Sequence, residues 1–229
     1  MKLRFYLTIV LAIILTGCST ATPTPIYVTA TSPAPLVKEG TITFTRYDGE
    51  KYLGTVYGHG PTAIIMANMG YGNATQWKPF VDAFDRDKFT AITFNYNQTT
   101  QADYGSAEQE VQIILEKLKG YGFKRVICIG ASMGLSACAS IAQAPEMVGI
   151  VLISGPNNGG SLETKYPKLF ISAKLDQWAA ATETLYNHAP DPKALIIYPN
   201  IANHGADLFF ASVGDQFLKS LLEFVNSIS

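Results

Sequence analysis

The sequence predicts an α/β domain: a mostly parallel sheet flanked by helices, with an N-terminal β-hairpin and no large lid. Three observations carry this. Short apolar runs recur at Ala63–Ala67, Phe89–Phe94, Val126–Ile129, Gly149–Ile153, Leu169–Ile171 and Ala194–Ile197, and they are continuous rather than alternating, as in strands buried on both faces. Between several of them lie segments with helical spacing, such as Val111, Ile114, Leu115 and Leu118, and near the end Phe217, Leu221 and Phe224. Alternation of strand and helix makes a parallel sheet with helical layers.

In chain order, Thr41–Thr45 alternates, Asp48-Gly49 supplies a turn, and Lys51–Tyr57 continues in β-prone residues, which is the hairpin. The six apolar runs follow. Leu135–Gln143 is helix-competent directly after the run ending at Ile129. Only a short segment separates Ile153 from Lys168, so nothing there is long enough for a helical lid, and the site is expected to be open. In such sheets ligands bind at the carboxyl ends of the strands, so the residues just after each run are the ones to interrogate.

Composition narrows the function classes. The chain has 229 residues, 48% hydrophobic and 15% charged, with 19 Gly, 12 Pro and a net charge of -1. That suits one globular domain threaded by turns. No dense basic cluster is present to release counterions from a nucleic-acid backbone, so nucleic acid is not an expected partner. The three cysteines show no metal-type spacing and no disulfide framework. Cys128 and Cys138, in apolar and small-residue runs, read singly as small buried hydrophobes.

The first residues read as an address. Lys2 and Arg4 precede the largely apolar stretch Phe5–Leu15, which has the length of a signal-peptide core and is too short to span a bilayer as an ordinary helix. It ends in Leu15-Thr16-Gly17-Cys18, which resembles the lipobox of bacterial lipoproteins, where the signal is cut before the cysteine and that cysteine is acylated. Several acyl chains anchor stably, each buried CH₂ contributing about 0.8 kcal/mol. Residues 19–37 are rich in Ser, Thr, Ala and Pro with no charge before Lys38, a composition that cannot bury a core and reads as an extended tether. The expected organisation is a lipoprotein signal peptide at 1–17, a lipidated Cys18 and tether at 18–38, and a folded domain at 39–229. The resulting location is the bacterial cell envelope, outside the cytoplasm and anchored to a membrane by lipid.

The chemistry starts at Gly130-Ala131-Ser132-Met133-Gly134, a G-x-S-x-G match placed between a strand and a helix. A serine on a sharp, crowded turn needs flanks without bulk. Taken alone the pentapeptide also fits a tight strand–helix connection or a phosphate-binding turn.

A serine hydroxyl becomes a strong nucleophile when an imidazole takes its proton and a carboxylate orients that imidazole. His188 and His204 are the histidines after Ser132. His204 follows the last apolar run, in a polar, Gly-bearing loop leading to the final helix. His188 reads as the C-terminal end of a helix halted by Pro190, where imidazolium suits the dipole, and His59 as a solvated turn residue. For the acid, Asp176 follows the strand ending at Ile171 and precedes His204. Asp207 is close in sequence to His204 and could begin the last helix, Asp191 precedes a strand, and Glu163 is the remaining competitor.

Acyl transfer also needs donors aimed at the oxyanion. The backbone N–H of Met133 is one, and the loop Asn68-Met69-Gly70-Tyr71-Gly72 offers the second, Gly70 first and Met69 next. Tyr71, Trp77, Tyr96, Tyr104 and Trp178 are aromatics that could line a cleft or simply pack.

With serine, acid, histidine and loop in this order, the region from about Thr41 to the end resembles the α/β-hydrolase superfamily, particularly its small lidless members related to dienelactone hydrolases and acyl-peptidases. The resemblance implies a triad of Ser132, Asp176 and His204, with water releasing an acyl-enzyme and no metal or cofactor. Two positions depart from the pattern. Many relatives place His-Gly where this chain has Asn68-Met69, and dienelactone hydrolases use a cysteine where Ser132 stands. The expected reaction is therefore hydrolysis of a small carboxylic ester or related acyl bond. Peptidase or thioesterase chemistry uses the same groups, and a non-catalytic surface binding module could keep the same fold.

Overall fold

A computed structural model describes residues 37–70, 73–96 and 104–228. The chain divides into two units, Met1–Ser32 and Pro33–Ser229. The first unit lies outside the described residues, and with it the export signal and Cys18; so do most of the tether and Tyr71.

Eight strands form one sheet: β1 Gly40–Thr45, β2 Lys51–Tyr57, β3 Thr62–Ala67, β4 Phe89–Phe94, β5 Arg125–Ala131, β6 Met147–Ile153, β7 Lys168–Ala173 and β8 Lys193–Tyr198, in the spatial order β1-β2-β4-β3-β5-β6-β7-β8. The hairpin forms as its alternation predicts, Ile42, Phe44, Tyr52 and Val56 buried and their neighbours mostly exposed. Strand β2 pairs antiparallel with β4, and every later pairing is parallel. Strands β3, β4 and β7 are buried at all six positions, as continuous apolar runs require. Strand β8 is the exception. Its residues are mostly half-buried because it has a neighbour on one side only.

Two helical layers cover the sheet. On one face lie α2 (Tyr104–Gly120) and α3 (Met133–Ser140). The stripe Val111, Ile114, Leu115 and Leu118 of α2 is buried, each side chain contributing about 1.5–3 kcal/mol by leaving water. On the other lie the short α1 (Lys78–Val81) and α5 (Gly214–Ile228). The buried stripe of α5 runs Phe217, Leu221, Val225, Ile228; Phe224, expected on it, is half-buried at its margin. Helix α4 (Ala179–His188) follows β7 and ends at His188, whose Nδ1 bonds the Thr184 carbonyl at 2.8 Å.

One expectation is overturned inside the core. Cys128 of β5 and Cys138 of α3 form a disulfide, with Cα atoms 5.6 Å apart and a sequence separation of 10. Strand and helix lie back to back here, which brings two apolar cysteines into register. Both remain fully buried.

Candidate functional site

Ser132, Asp176, His204 and the oxyanion loop leave the sheet at the carboxyl ends of parallel strands. Ser132 follows β5, Asp176 follows β7, His204 follows β8, and Asn68-Met69-Gly70 follow β3.

Ser132 sits at φ 55° and ψ -115°, outside the ordinary regions for an L-residue, a strain that persists only when its surroundings hold it. Its surroundings do. The Ser132 N–H donates to the Ile153 carbonyl at 2.8 Å. A Cβ on Gly130 would lie 2.1 Å from the Gly134 carbonyl oxygen, and one on Gly134 would lie 2.2 Å from the Ala67 carbonyl oxygen. The two glycines are thus dictated by backbone contact between strand, turn and helix. The disulfide joins the same strand to the same helix across the turn. The helix is shorter than the apolar run suggested: it ends at Ser140, and Gln143 lies in the following turns.

His204 and Asp176 meet. His204 Nδ1 lies 2.9 Å from Asp176 Oδ2, with the carboxylate buried and the ring partly open to solvent. The Trp178 N–H donates to Asp176 Oδ1 at 3.0 Å. Burial pushes the Asp176 carboxyl upward, but hydrogen bonds from His204, from the Trp178 N–H and from Ser154, with the His204 charge, outweigh it and hold the group below its ordinary value. Ser132 and His204 stand on adjoining loops: a Cβ on Gly205 would lie 3.4 Å from the Ala131 Cβ. Ser132 Oγ makes no direct hydrogen bond to His204 in this geometry. Catalytic hydrogen bonds in unliganded enzymes are commonly long and tighten with substrate.

The β3 loop lies against the elbow, with a Cβ on Gly70 falling 3.6 Å from Met133 Sδ. The N–H groups of Met69, Gly70 and Met133 have no acceptor among the described residues, so all three are free to serve as donors. Asn68 is a buried clamp. Its Oδ1 accepts from Trp77 Nε1 at 2.8 Å and its Nδ2 donates to the Phe94 carbonyl.

The remaining candidates fall away from this centre. Glu163 is exposed and lines a groove with His188. Asp191 precedes β8 as expected. Asp207 lies in the 3₁₀ turn Gly205–Phe210 and not in α5, and it accepts from Gln76 Nε2 at 3.4 Å. His59 pairs with Asp87 at the surface, at 2.9 Å. Trp77 and Tyr96 belong to the core, Tyr104 packs at its margin, and Trp178 precedes α4 beside Asp176. Among the described residues no three His, Cys, Asp or Glu side chains converge to hold a metal.

Ser154 escaped the sequence reading. It is fully buried at φ 45°, its Oγ lies 3.1 Å from Ser172 Oγ, and its hydroxyl helps hold the Asp176 carboxyl below its ordinary value. The signal was its place: the first residue after β6, at the same sheet end as the others.

The architecture is the α/β-hydrolase fold, and residues 154–167, between β6 and β7, carry no helix that could form a lid. No protein-family model matches the sequence, and no curated protein is similar to it at the sequence level. Solved structures are similar in fold. A dienelactone hydrolase from Anabaena variabilis aligns with a TM-score of 0.67 at 17% identity over 83% of this chain and 96% of that one. An α/β serine hydrolase without a lid from Xanthomonas campestris gives 0.65 at 14% identity, covering 85% and 97%. An esterase from Exiguobacterium antarcticum gives 0.66 at 11% identity, covering 80% and 98%. At these identities the likeness establishes the fold.

Proposed function

We propose that this protein is a serine hydrolase that cleaves a carboxylic ester or related acyl bond through an acyl-enzyme on Ser132. The observation that carries the reading is the 2.9 Å contact of His204 with a buried, ionised Asp176, beside a serine held at φ 55° by close backbone contacts. In the reaction His204 Nε2 takes the Ser132 proton as Oγ attacks the acyl carbon, and the oxyanion is met by the Met133 N–H and that of Gly70 or Met69. The imidazolium then gives its proton to the leaving alcohol. Water attacks the acyl-enzyme by the same route and restores Ser132.

Names of structures similar in fold, two of them an esterase and a dienelactone hydrolase, support the same chemistry. Export and anchoring through Cys18 belong to this proposal. The Cys128–Cys138 disulfide supports the export half, because disulfides persist outside the reducing cytoplasm.

The test is turnover of nitrophenyl esters of graded chain length by the full chain, beside Ser132→Ala and His204→Ala. Each variant is expected to lose about 10⁴-fold or more in kcat, and a fluorophosphonate to label Ser132. Turnover surviving in Ser132→Ala sinks the reading. Absent labelling and turnover in the parent would leave a binding module on this fold.

A further inference from the structure

Behind the candidate site, three loops meet at one residue. Gly205 directly follows His204 and lies at φ 54°, a left-handed conformation that suits glycine. A Cβ placed on it would fall 2.5 Å from Met69 Sδ, 3.1 Å from Met69 Cγ and 3.4 Å from the Ala131 Cβ. Met69 belongs to the β3 loop, Ala131 immediately precedes Ser132, and Gly205 continues the backbone of His204. The Met69 side chain therefore fills the space where the loop of the proposed oxyanion donors, the nucleophile's strand and the base's loop come together. It is 1% exposed, and in a close-packed interior such a spacer moves only if one of its neighbours moves with it.

Two further contacts continue the same seam. Gln76 Nε2 donates to Asp207 Oδ1 at 3.4 Å, and the Trp77 ring meets that of Phe209 edge-on, with centroids 6.1 Å apart. Met69, Gln76 and Trp77 thus face Gly205, Asp207 and Phe209 in the same order along both stretches of chain. The β3 loop and the His204 loop are tied to each other, while the elbow is held separately by its own backbone contacts. Gly205, touching Met69 on one side and Ala131 on the other, is where the tied pair meets the elbow.

We propose that Met69 is a positioning residue: its thioether is the spacer that sets the His204 imidazole and the oxyanion amides together against Ser132. Losing it slows the chemical step and leaves substrate binding nearly as it was. The inference rests on the serine-hydrolase reading for its kinetic half only.

Steady-state turnover of nitrophenyl acetate by the full chain, with the folded fraction followed by circular dichroism, tests it. Met69→Ala is expected to lower kcat about tenfold or more with KM within about twofold, since a misplacement of about 1 Å can cost a hundredfold. Met69→Leu refills the space and is expected to recover most of the loss; Met69→Val carries the test if the alanine variant does not fold. Gly205→Ala is expected to lower kcat by itself. Met69→Ala should then cost less in that background than alone, because the new methyl takes the space the sulfur leaves. Nitrogen NMR of the His204 ring reads its bond to Asp176 without turnover, and the resonances should shift in Met69→Ala and return in Met69→Leu. An unchanged kcat in Met69→Ala, a change confined to KM, strictly additive substitutions, or ring resonances indifferent to Met69 overturns the positioning role. A parent protein that cleaves no ester while its His204 resonances follow Met69 would break the hydrolase reading alone.

Discussion

The two backbone segments that would meet a substrate's carbonyl are held in different ways. The elbow around Ser132 is fixed by main chain: glycines at 130 and 134 in direct contact with neighbouring carbonyls, a ladder-like bond to Ile153, and a disulfide across the turn. The loop Asn68-Met69-Gly70 is fixed by side chains: Asn68 clamps Trp77 on one side and Phe94 on the other, and Met69 is buried in the core. The elbow is over-determined, so no single side chain beyond the glycines decides it. The loop depends on the side chains of Asn68 and Met69.

The largest effect that would sharpen this contrast is at Gly134. An added Cβ meets backbone atoms of Ala67 that cannot swing aside, so Gly134→Ala should cost about 3 kcal/mol or more of stability. Urea unfolding measures it, and an undisturbed midpoint would mean the elbow is looser than drawn. Asn68→Ala comes next. It orphans the Trp77 indole N–H and the Phe94 carbonyl, at about 1–3 kcal/mol, and should lower kcat more than it raises KM, because the donors and not the binding surface move. A change confined to KM would detach Asn68 from the proposed oxyanion donors.

The smallest effect is electrostatic. The Asp176 carboxyl is held below its ordinary value, so its charge contributes stability above the usual carboxylate range of about 4. That contribution fades as pH falls through the depressed value. Asp176→Asn should therefore be less stable than the parent at neutral pH, and the difference should shrink as the solution is acidified below about pH 4. Thermal melts across that range report it; a gap unchanged in acid would place the effect in packing and not in charge.

Much of this was legible in the sequence, and the failures share a cause. Continuous apolar runs gave the parallel strands, and the order serine, acid, histidine after the ends of β5, β7 and β8 gave the candidates, of which Asp176 touches His204 and Ser132 stands on the adjoining turn. Continuous runs hide which face each residue points to. That is why Cys128 and Cys138 read as separate hydrophobes: nothing in a fully apolar strand says that position 128 faces the helix that follows. For Trp77 the sequence leaves cleft lining and packing both open. The 3₁₀ turn Ala74–Trp77 carries it inward, to the amide of Asn68, so it packs. Asp207 was read toward the final helix because an acidic residue suits a helix start, and it does start one, the shorter turn before it.

The disulfide has a practical consequence for anyone handling the molecule. Between Arg125 and Lys165 the chain contains no lysine or arginine, so a tryptic digest releases the elbow as one peptide carrying Cys128, Ser132 and Cys138. The mass of that peptide records two facts at once. A covalent adduct on the serine makes it heavier, and a closed ring between the cysteines makes it lighter by two hydrogens. A single spectrum can therefore say, molecule by molecule, whether a chain that folded in a reducing or an oxidising compartment carries a reactive nucleophile.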